Sequence, residues 1–231
     1  MRKLRFFVSL LFLTFPLALC AQVEGVNDTN TQLSIVDYRV LKTLQDSRTP
    51  SCNTFWVTVS NTFVLSPMVP LSLGVGSWVA SDPQMKQALF ANASEVGGAW
   101  LLNAGLTMGL KYLVGRPRPW VAYEGNLVCL QTVGSPSFPS GHTSFAFTAA
   151  TSLSLLYPRW YVIAPAYLWA SAVGFSRLYV GAHFPSDVFA GALIGTCSAL
   201  LVHMLHSRYT WQNTPFAPPP DAVVVPLVLT F

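Results

Sequence analysis

Lys111, Arg118 and Arg177 stand at the ends of long apolar segments of a 231-residue chain. A charge at the centre of an apolar helix in a bilayer costs roughly 2.5–3.5 kcal/mol on insertion scales, and less near an end. The acids near those ends are Asp187 and Glu124. Three cations with so few carboxylates beside them ask for an anionic guest. Phosphate fits, because guanidinium groups bind its oxygens in pairs. One such arginine alone reads as a side chain snorkelling to the interface; three together favour the guest.

Pro136-Ser137-Phe138-Pro139-Ser140-Gly141-His142 precedes another apolar stretch. Ser140 suits a helix N-cap, and Gly141 lets backbone approach a ligand. The first turn of such a helix offers unpaired N–H groups and the positive end of the dipole, which together attract anions. His142, on that turn, can give a proton to a leaving oxygen. Further on, His183 and Asp187 lie four residues apart around Pro185, a residue that favours a first helical turn. The spacing lets the carboxylate fix one imidazole nitrogen and leaves the other as nucleophile or base. A metal-ligand role for His183 competes with this. However, no further His or carboxylate lies at ligand spacing, and His203 and His206 fall near the opposite end of the last apolar segment.

The elements that must carry these groups follow from composition. Charged residues are 10% of the chain and hydrophobic residues 52%, against about 25% charged in a typical soluble domain. So little charge cannot cover a soluble globule, and such hydrophobicity excludes intrinsic disorder. The 13 Lys and Arg form no basic run, which argues against nucleic acid. Apolar segments at 54–80, 96–110, 143–156, 160–175 and 188–205 predict an all-α, polytopic membrane helix bundle of about five transmembrane helices, kinked at Pro67 and Pro70. Residues 1–20 carry the basic, apolar and small-residue grammar of a secretory signal cut before Ala21, with retention as an anchor or lipidation at Cys20 as alternatives. All three leave residue 30 outside the cytoplasm. Counting spans from there puts Lys111, Arg116, Arg118, His142, Arg177, His183 and Asp187 on one outer face. Positive charge in the inner loops is too sparse to arbitrate. The expected organisation is a signal segment at 1–20, a polar extracytoplasmic segment at 21–53, a membrane-embedded domain at 54–208 and a Pro-rich apolar tail at 209–231.

Lys111 and, after six intervening residues, Arg118-Pro119, then Pro139-Ser140-Gly141-His142, then Ser176-Arg177 with His183 and Asp187 at their spacings, resemble the three-part signature of the type 2 phosphatidic acid phosphatase family. Bacterial class A acid phosphatases and vanadium haloperoxidases share that superfamily; the apolar spans point to its membrane lipid phosphatase branch. The resemblance implies that His183 attacks phosphorus and forms a phosphohistidine. It implies that Asp187 orients His183, and that His142 protonates the leaving oxygen and then activates water. Lys111, Arg118, Ser140, Gly141 and Arg177 would hold the phosphoryl oxygens, with no metal or other cofactor. Arg116 is a near-duplicate that the spacing from Lys111 sets aside. The implied protein sits in a bacterial-type inner membrane with its site facing the periplasm. It would act on the phosphate of lipid A, undecaprenyl diphosphate or phosphatidic acid. A broad-specificity exported acid phosphatase is the alternative, and a non-enzymatic membrane protein a remote one. No protein partner is inferable.

Residues 33–46 predict an amphipathic helix that either lies on the bilayer or packs on the domain. Cys52 and Cys129, both expected outside, are candidates for a disulfide tethering the 115–138 loop. Cys197 reads as a packing residue.

Overall fold

The computed structural model describes residues 29–213, with side chains from 35 to 207. The expected signal segment and most of the expected tail lie outside these residues. Helix α1 spans Thr29–Asp46. Thr49 then accepts from the Cys52 N–H and caps α2, Pro50–Asn61. A 3-10 turn at Thr62–Leu65 leads to Pro67, where the chain restarts as α3, Met68–Val79, at 40° to the helix before it. Proline at Pro67 cannot continue the preceding helix, which is the kink the sequence predicts. Asp82 accepts from the Gln84 and Met85 N–H groups and caps α4, Pro83–Val114. Gly115, at φ 60°, closes α4 with its N–H on the Lys111 carbonyl, a left-handed stop that only glycine adopts cheaply. One turn, α5 (Pro119–Ala122), interrupts the 115–138 loop; α6 (Gly141–Leu156), α7 (Trp160–Tyr179) and α8 (Pro185–Asn213) follow. Among the described residues there is no strand.

α6 is the hub: it packs on α7, α8 and α4, while α4 also packs on α3 and α8. The polarity of the bundle is the reverse of a soluble one. Asn103, Thr107, Ser144 and Thr148 are buried, whereas Trp78, Leu113 and Trp160 are 81%, 83% and 80% exposed. Apolar side chains facing outward around a polar interior suit a bundle whose solvent is lipid tails. Helices meeting in lipid need small residues where they touch. Gly191 and Gly195 supply them on α8: a Cβ at Gly191 would lie 2.6 Å from the Ser140 carbonyl oxygen, and one at Gly195 2.1 Å from that of Ser144.

Among the described residues, Pro185–Ser207 is by length and composition the one helix long and apolar enough to cross a bilayer, and Pro50–Leu65 with Met68–Val79 makes a second, bent candidate. The other expected spans carry their polar groups inward. On α4 the buried face includes Glu95, Asn103, Thr107 and Lys111, and α6 has only 16 residues.

α1 packs on the domain rather than lying apart: Asp37 and Leu41 are buried, Leu41 with Leu127 and Phe184. The expected Cys52–Cys129 disulfide is not formed; both are free thiols. Cys52 is exposed on α2, and the Cys129 thiol donates instead to the Gln131 carbonyl at 3.0 Å. The loop is tethered by hydrogen bonds. Gln45 Nε2 donates to the Asn126 carbonyl (3.1 Å) and its Oε1 accepts from the Val128 N–H (2.6 Å). Arg48 donates to the carbonyls of Val128 (2.8 Å) and Tyr179 (2.6 and 2.9 Å).

Candidate active site

Lys111 and Arg118 are aimed chiefly by backbone carbonyls, and Arg177 by side chains. Lys111, in the last turn of α4, donates from Nζ to the Pro136 carbonyl at 2.7 Å. Arg118, at the start of α5, donates from Nε to Ser135 O (2.7 Å), from Nη2 to Ser135 Oγ (3.0 Å) and from Nη1 to Ala182 O (2.9 Å). Arg177, in the last turn of α7, donates from Nη1 to Ser60 Oγ and to Gln131 Oε1 (3.0 Å), while its buried Nε has no partner. After Arg177 the chain turns through Gly181, at φ 75°, where a Cβ would lie 2.8 Å from the Val128 carbonyl. That turn delivers His183 into the cluster, and α8 begins two residues later.

His183 is 2% exposed and its Nε2 lies 3.3 Å from Arg118 Nη1. A guanidinium only donates, so Nε2 meets it as a lone pair and the imidazole proton belongs on Nδ1. Nδ1 faces Asp187 Oδ2 at 3.7 Å, beyond hydrogen-bond length and without another partner. Asp187 itself is fully engaged. Its Oδ2 accepts from Ser137 Oγ (2.5 Å) and the Phe184 N–H (2.9 Å), and its Oδ1 from Arg116 Nη1 (2.6 Å). Burial holds His183 well below its ordinary value, to about 4; Asp187 pulls the other way, and Arg177 and Arg118 push it further down. The imidazole is therefore neutral at pH 7.

Ser140 precedes α6 as expected, but its hydroxyl does not cap the helix; it shares a 2.9 Å hydrogen bond with Thr143 Oγ1. The Ser140 N–H donates to the Asp187 carbonyl at 3.0 Å, tying the start of α6 to the start of α8. Gly141 lies against Lys111: a Cβ there would sit 3.9 Å from Lys111 Cε. The His142 ring lies tilted against Phe63, with centroids 3.8 Å apart, and within electrostatic range of Arg177, His183, Arg118 and Lys111. All eight expected site residues thus converge on the same end of the bundle.

Sequence reasoning missed the residues that hold them. Ser60 and Gln131 fix Arg177, and Ser135 fixes Arg118. Asp37 was not counted among the nearby acids, and Arg116 was set aside; they form an ion pair at 2.8 Å. Spacing gave no signal for Asp37, which lies 150 residues from Asp187 in the chain. Among the described residues no group of three or more His, Cys, Asp or Glu is placed to hold a metal. An open cavity of about 580 Å³ lies beside the cluster, lined by Arg116, Arg118, Trp120, Val121, Val133 and neighbouring backbone. Neither imidazole lines it.

The PAP2 superfamily profile matches residues 93–211, just over half of the chain. The chain belongs to the PAP2 superfamily. Its PAP2 relatives include a lipid A 1-phosphatase of Rhizobium etli, 34% identical over 48% of this chain and 51% of that protein. A lipid A 1-phosphatase of Porphyromonas gingivalis is 31% identical over 70% of this chain and 34% of that protein. An undecaprenyl-diphosphatase of Sulfolobus acidocaldarius is 34% identical over 42% of this chain and 47% of that protein. The chain therefore spans about half or less of the length of these curated relatives. Among solved PAP2 structures, LpxE of Aquifex aeolicus superposes with a TM-score of 0.61 at 27% identity, covering 72% of this chain and 93% of that one. A transmembrane phosphatidylglycerolphosphate phosphatase of Bacillus subtilis shares the fold, with a TM-score of 0.66 at 24% identity, 90% of this chain and 98% of that one.

Proposed function

We propose that this protein is a membrane-embedded phosphatase that removes a phosphate from a lipid through a phosphohistidine on His183. The observation that carries the reading is the charge balance around one buried imidazole. Arg118 and Arg177 act on it, and both of them together with Lys111 act on the nearby His142, while Asp187 is already neutralised by Arg116. Three uncompensated cations suit a phosphate dianion, and the unpartnered Arg177 Nε is a ready donor to it.

The reaction follows from which atoms are free. Nε2 of neutral His183 attacks phosphorus; a P–N bond forms as the P–O bond to the lipid breaks. Binding draws the imidazole toward Asp187, closing the 3.7 Å gap into a hydrogen bond that steadies the growing positive charge. The three cations, the Ser140 hydroxyl and the Gly141 N–H take up charge on the phosphoryl oxygens, the kind of preset donor array that supplies the largest catalytic effect. His142 gives its proton to the departing lipid oxygen; the phosphate among the cations is the counter-charge that lets it hold one. Water then attacks phosphorus, His142 takes a proton back, and His183 leaves as the neutral imidazole.

The site belongs at the outer face of a bacterial inner membrane, as span counting from an exported N-terminus implies. The 54–208 segment is the embedded domain. A lipid A phosphate or undecaprenyl diphosphate is the favoured substrate, in keeping with the relatives' names. The cavity beside Arg118 and Trp120 is the natural seat for the part of the substrate beyond the reacting phosphate. The test is phosphate release from purified lipid A, undecaprenyl diphosphate, phosphatidylglycerol phosphate and phosphatidic acid by membranes holding wild type or His183→Ala. Release should occur for at least one lipid with wild type, be inhibited by vanadate, and vanish with the variant. Equal release by both would overturn the reading. Labelled phosphate trapped on His183 after an alkaline quench would establish the intermediate.

A further inference from the structure

Asp37 comes from α1, outside the stretch that the family profile matches. It is nevertheless 4% exposed and sits beneath the nucleophile's carboxylate. Its Oδ1 accepts from the Ser186 N–H at 3.1 Å and its Oδ2 from Ser186 Oγ at 2.6 Å. Asp37 thereby satisfies an otherwise free N–H in the first turn of α8 and places a negative charge at its positive dipole end. Oδ2 also accepts from Arg116 Nη2 at 2.8 Å. Arg116 Nη1 is shared between Ser186 Oγ (2.7 Å) and Asp187 Oδ1 (2.6 Å). The guanidinium plane lies 4.0 Å over the Phe184 ring, which fixes its tilt. One cation thus spans two carboxylates, one from α1 and one from the catalytic cluster.

A single cation between two buried acids has one low-energy place only while both acids are there. Without Asp37, Arg116 loses the partner of Nη2 and becomes free to swing across Asp187 and take more than one of its oxygens. Asp187 would then turn away from His183, whose Nδ1 faces Oδ2 at 3.7 Å. We infer that Asp37 is a positioning residue for the reaction: docked α1 uses it, through Arg116 and Ser186, to hold the Asp187 carboxylate in the orientation that His183 needs. The inference rests on the phosphatase reading for its kinetic consequence, though not for its structural one. α1 is on this account a completing part of the site, contributed by the segment before the bundle.

Two measurements test it on the full-length protein in detergent micelles. First, kcat and KM for a lipid phosphate are compared among wild type, Asp37→Asn, Arg116→Gln and the double variant. Asp37→Asn should lower kcat by about tenfold and leave KM within about twofold, the size usual for a group acting behind a ligand-orienting partner. The double variant should lose no more than Arg116→Gln alone, because the two residues act through one contact. Lys42→Ala, an exposed site on the same helix, should change nothing. Multiplicative losses, or a loss confined to KM, would overturn the inference. Second, hydrogen exchange at the Phe184 amide, which donates to Asp187 Oδ2, reads the carboxylate's orientation without any turnover. Exchange there should quicken about tenfold in Asp37→Asn while α6 keeps its protection. Unchanged Phe184 exchange would overturn the inference even if the phosphatase reading holds. A wild type inactive on every lipid would sink that reading and leave this second result standing.

Discussion

Two histidine–carboxylate pairs of the bundle, His203 with Glu95 and His183 with Asp187, differ in length, burial and what else holds them. His203 Nδ1 lies 2.8 Å from Glu95 Oε1, joining α8 to α4, and the histidine is 35% exposed. His183 and Asp187 lie 3.7 Å apart on one turn, and both are buried. The shorter pair is a tie between helices, with His203 Nδ1 and Glu95 Oε1 meeting directly. In the longer pair the carboxylate is already held by Ser137, the Phe184 N–H and Arg116, while the imidazole keeps Nδ1 unpartnered and turns Nε2 toward Arg118. On the proposed mechanism, reactivity would come from an unmet hydrogen bond inside a cationic cluster and not from the presence of a His–acid pair.

The contrast can be broken by exchanging the two histidines' importance. His183→Ala should reduce lipid phosphate release by at least about 10³-fold, the scale on which loss of a nucleophile is felt, while His203→Ala stays within about threefold. Comparable losses would mean the two pairs are equivalent. Arg118→Lys should cost about 10²-fold in kcat/KM, because a lysine cannot keep Ser135 and Ala182 while also facing His183 and phosphate. An activity near wild type would remove Arg118 from the oxyanion cluster.

The protonation of His183 sharpens the comparison. With its pKa depressed to about 4, it stays neutral as pH falls from 7 and charges only as pH passes through about 4. Nitrogen-15 NMR of histidine-labelled protein should show that midpoint; a midpoint near 6.5 would describe an ordinary solvated imidazole.

Smaller effects follow from packing. Gly195→Ala drives a Cβ into the Ser144 carbonyl and Gly191→Ala into that of Ser140. Backbone cannot retreat as a flexible side chain does, so each should cost about 1–3 kcal/mol of stability, read as a lowered thermal midpoint. Gly191→Ala should also cut activity, since it displaces Ser140. Gly105→Ala, with nothing within 4 Å of its Cβ, should be neutral. Glu95→Gln keeps the shape of the tie to His203 and should lower the midpoint by only a few degrees while leaving kcat/KM alone.

The all-helical class, the break at Pro67, and the starts of α6 and α8 were legible because proline and apolar runs act locally on the backbone. That the eight expected residues gather at one end of the bundle was legible because their chemistry is unusual beside apolar helices. Span counting was less informative: α4 hides Glu95, Asn103 and Lys111 on a buried face, so its hydropathy understates how it sits. The Cys52–Cys129 pairing failed because shared compartment says nothing of side-chain direction. The sequence by itself therefore determined the family, the helices and the groups able to meet a phosphate, since these depend on residue type and near-neighbour spacing. Only the tertiary structure decided that Asp37 and Arg116 stand behind Asp187, that Ser60 and Gln131 aim Arg177, and that hydrogen bonds replace the disulfide. Those contacts join segments far apart in the chain, and a side chain's partners across such distances are set by how the helices pack.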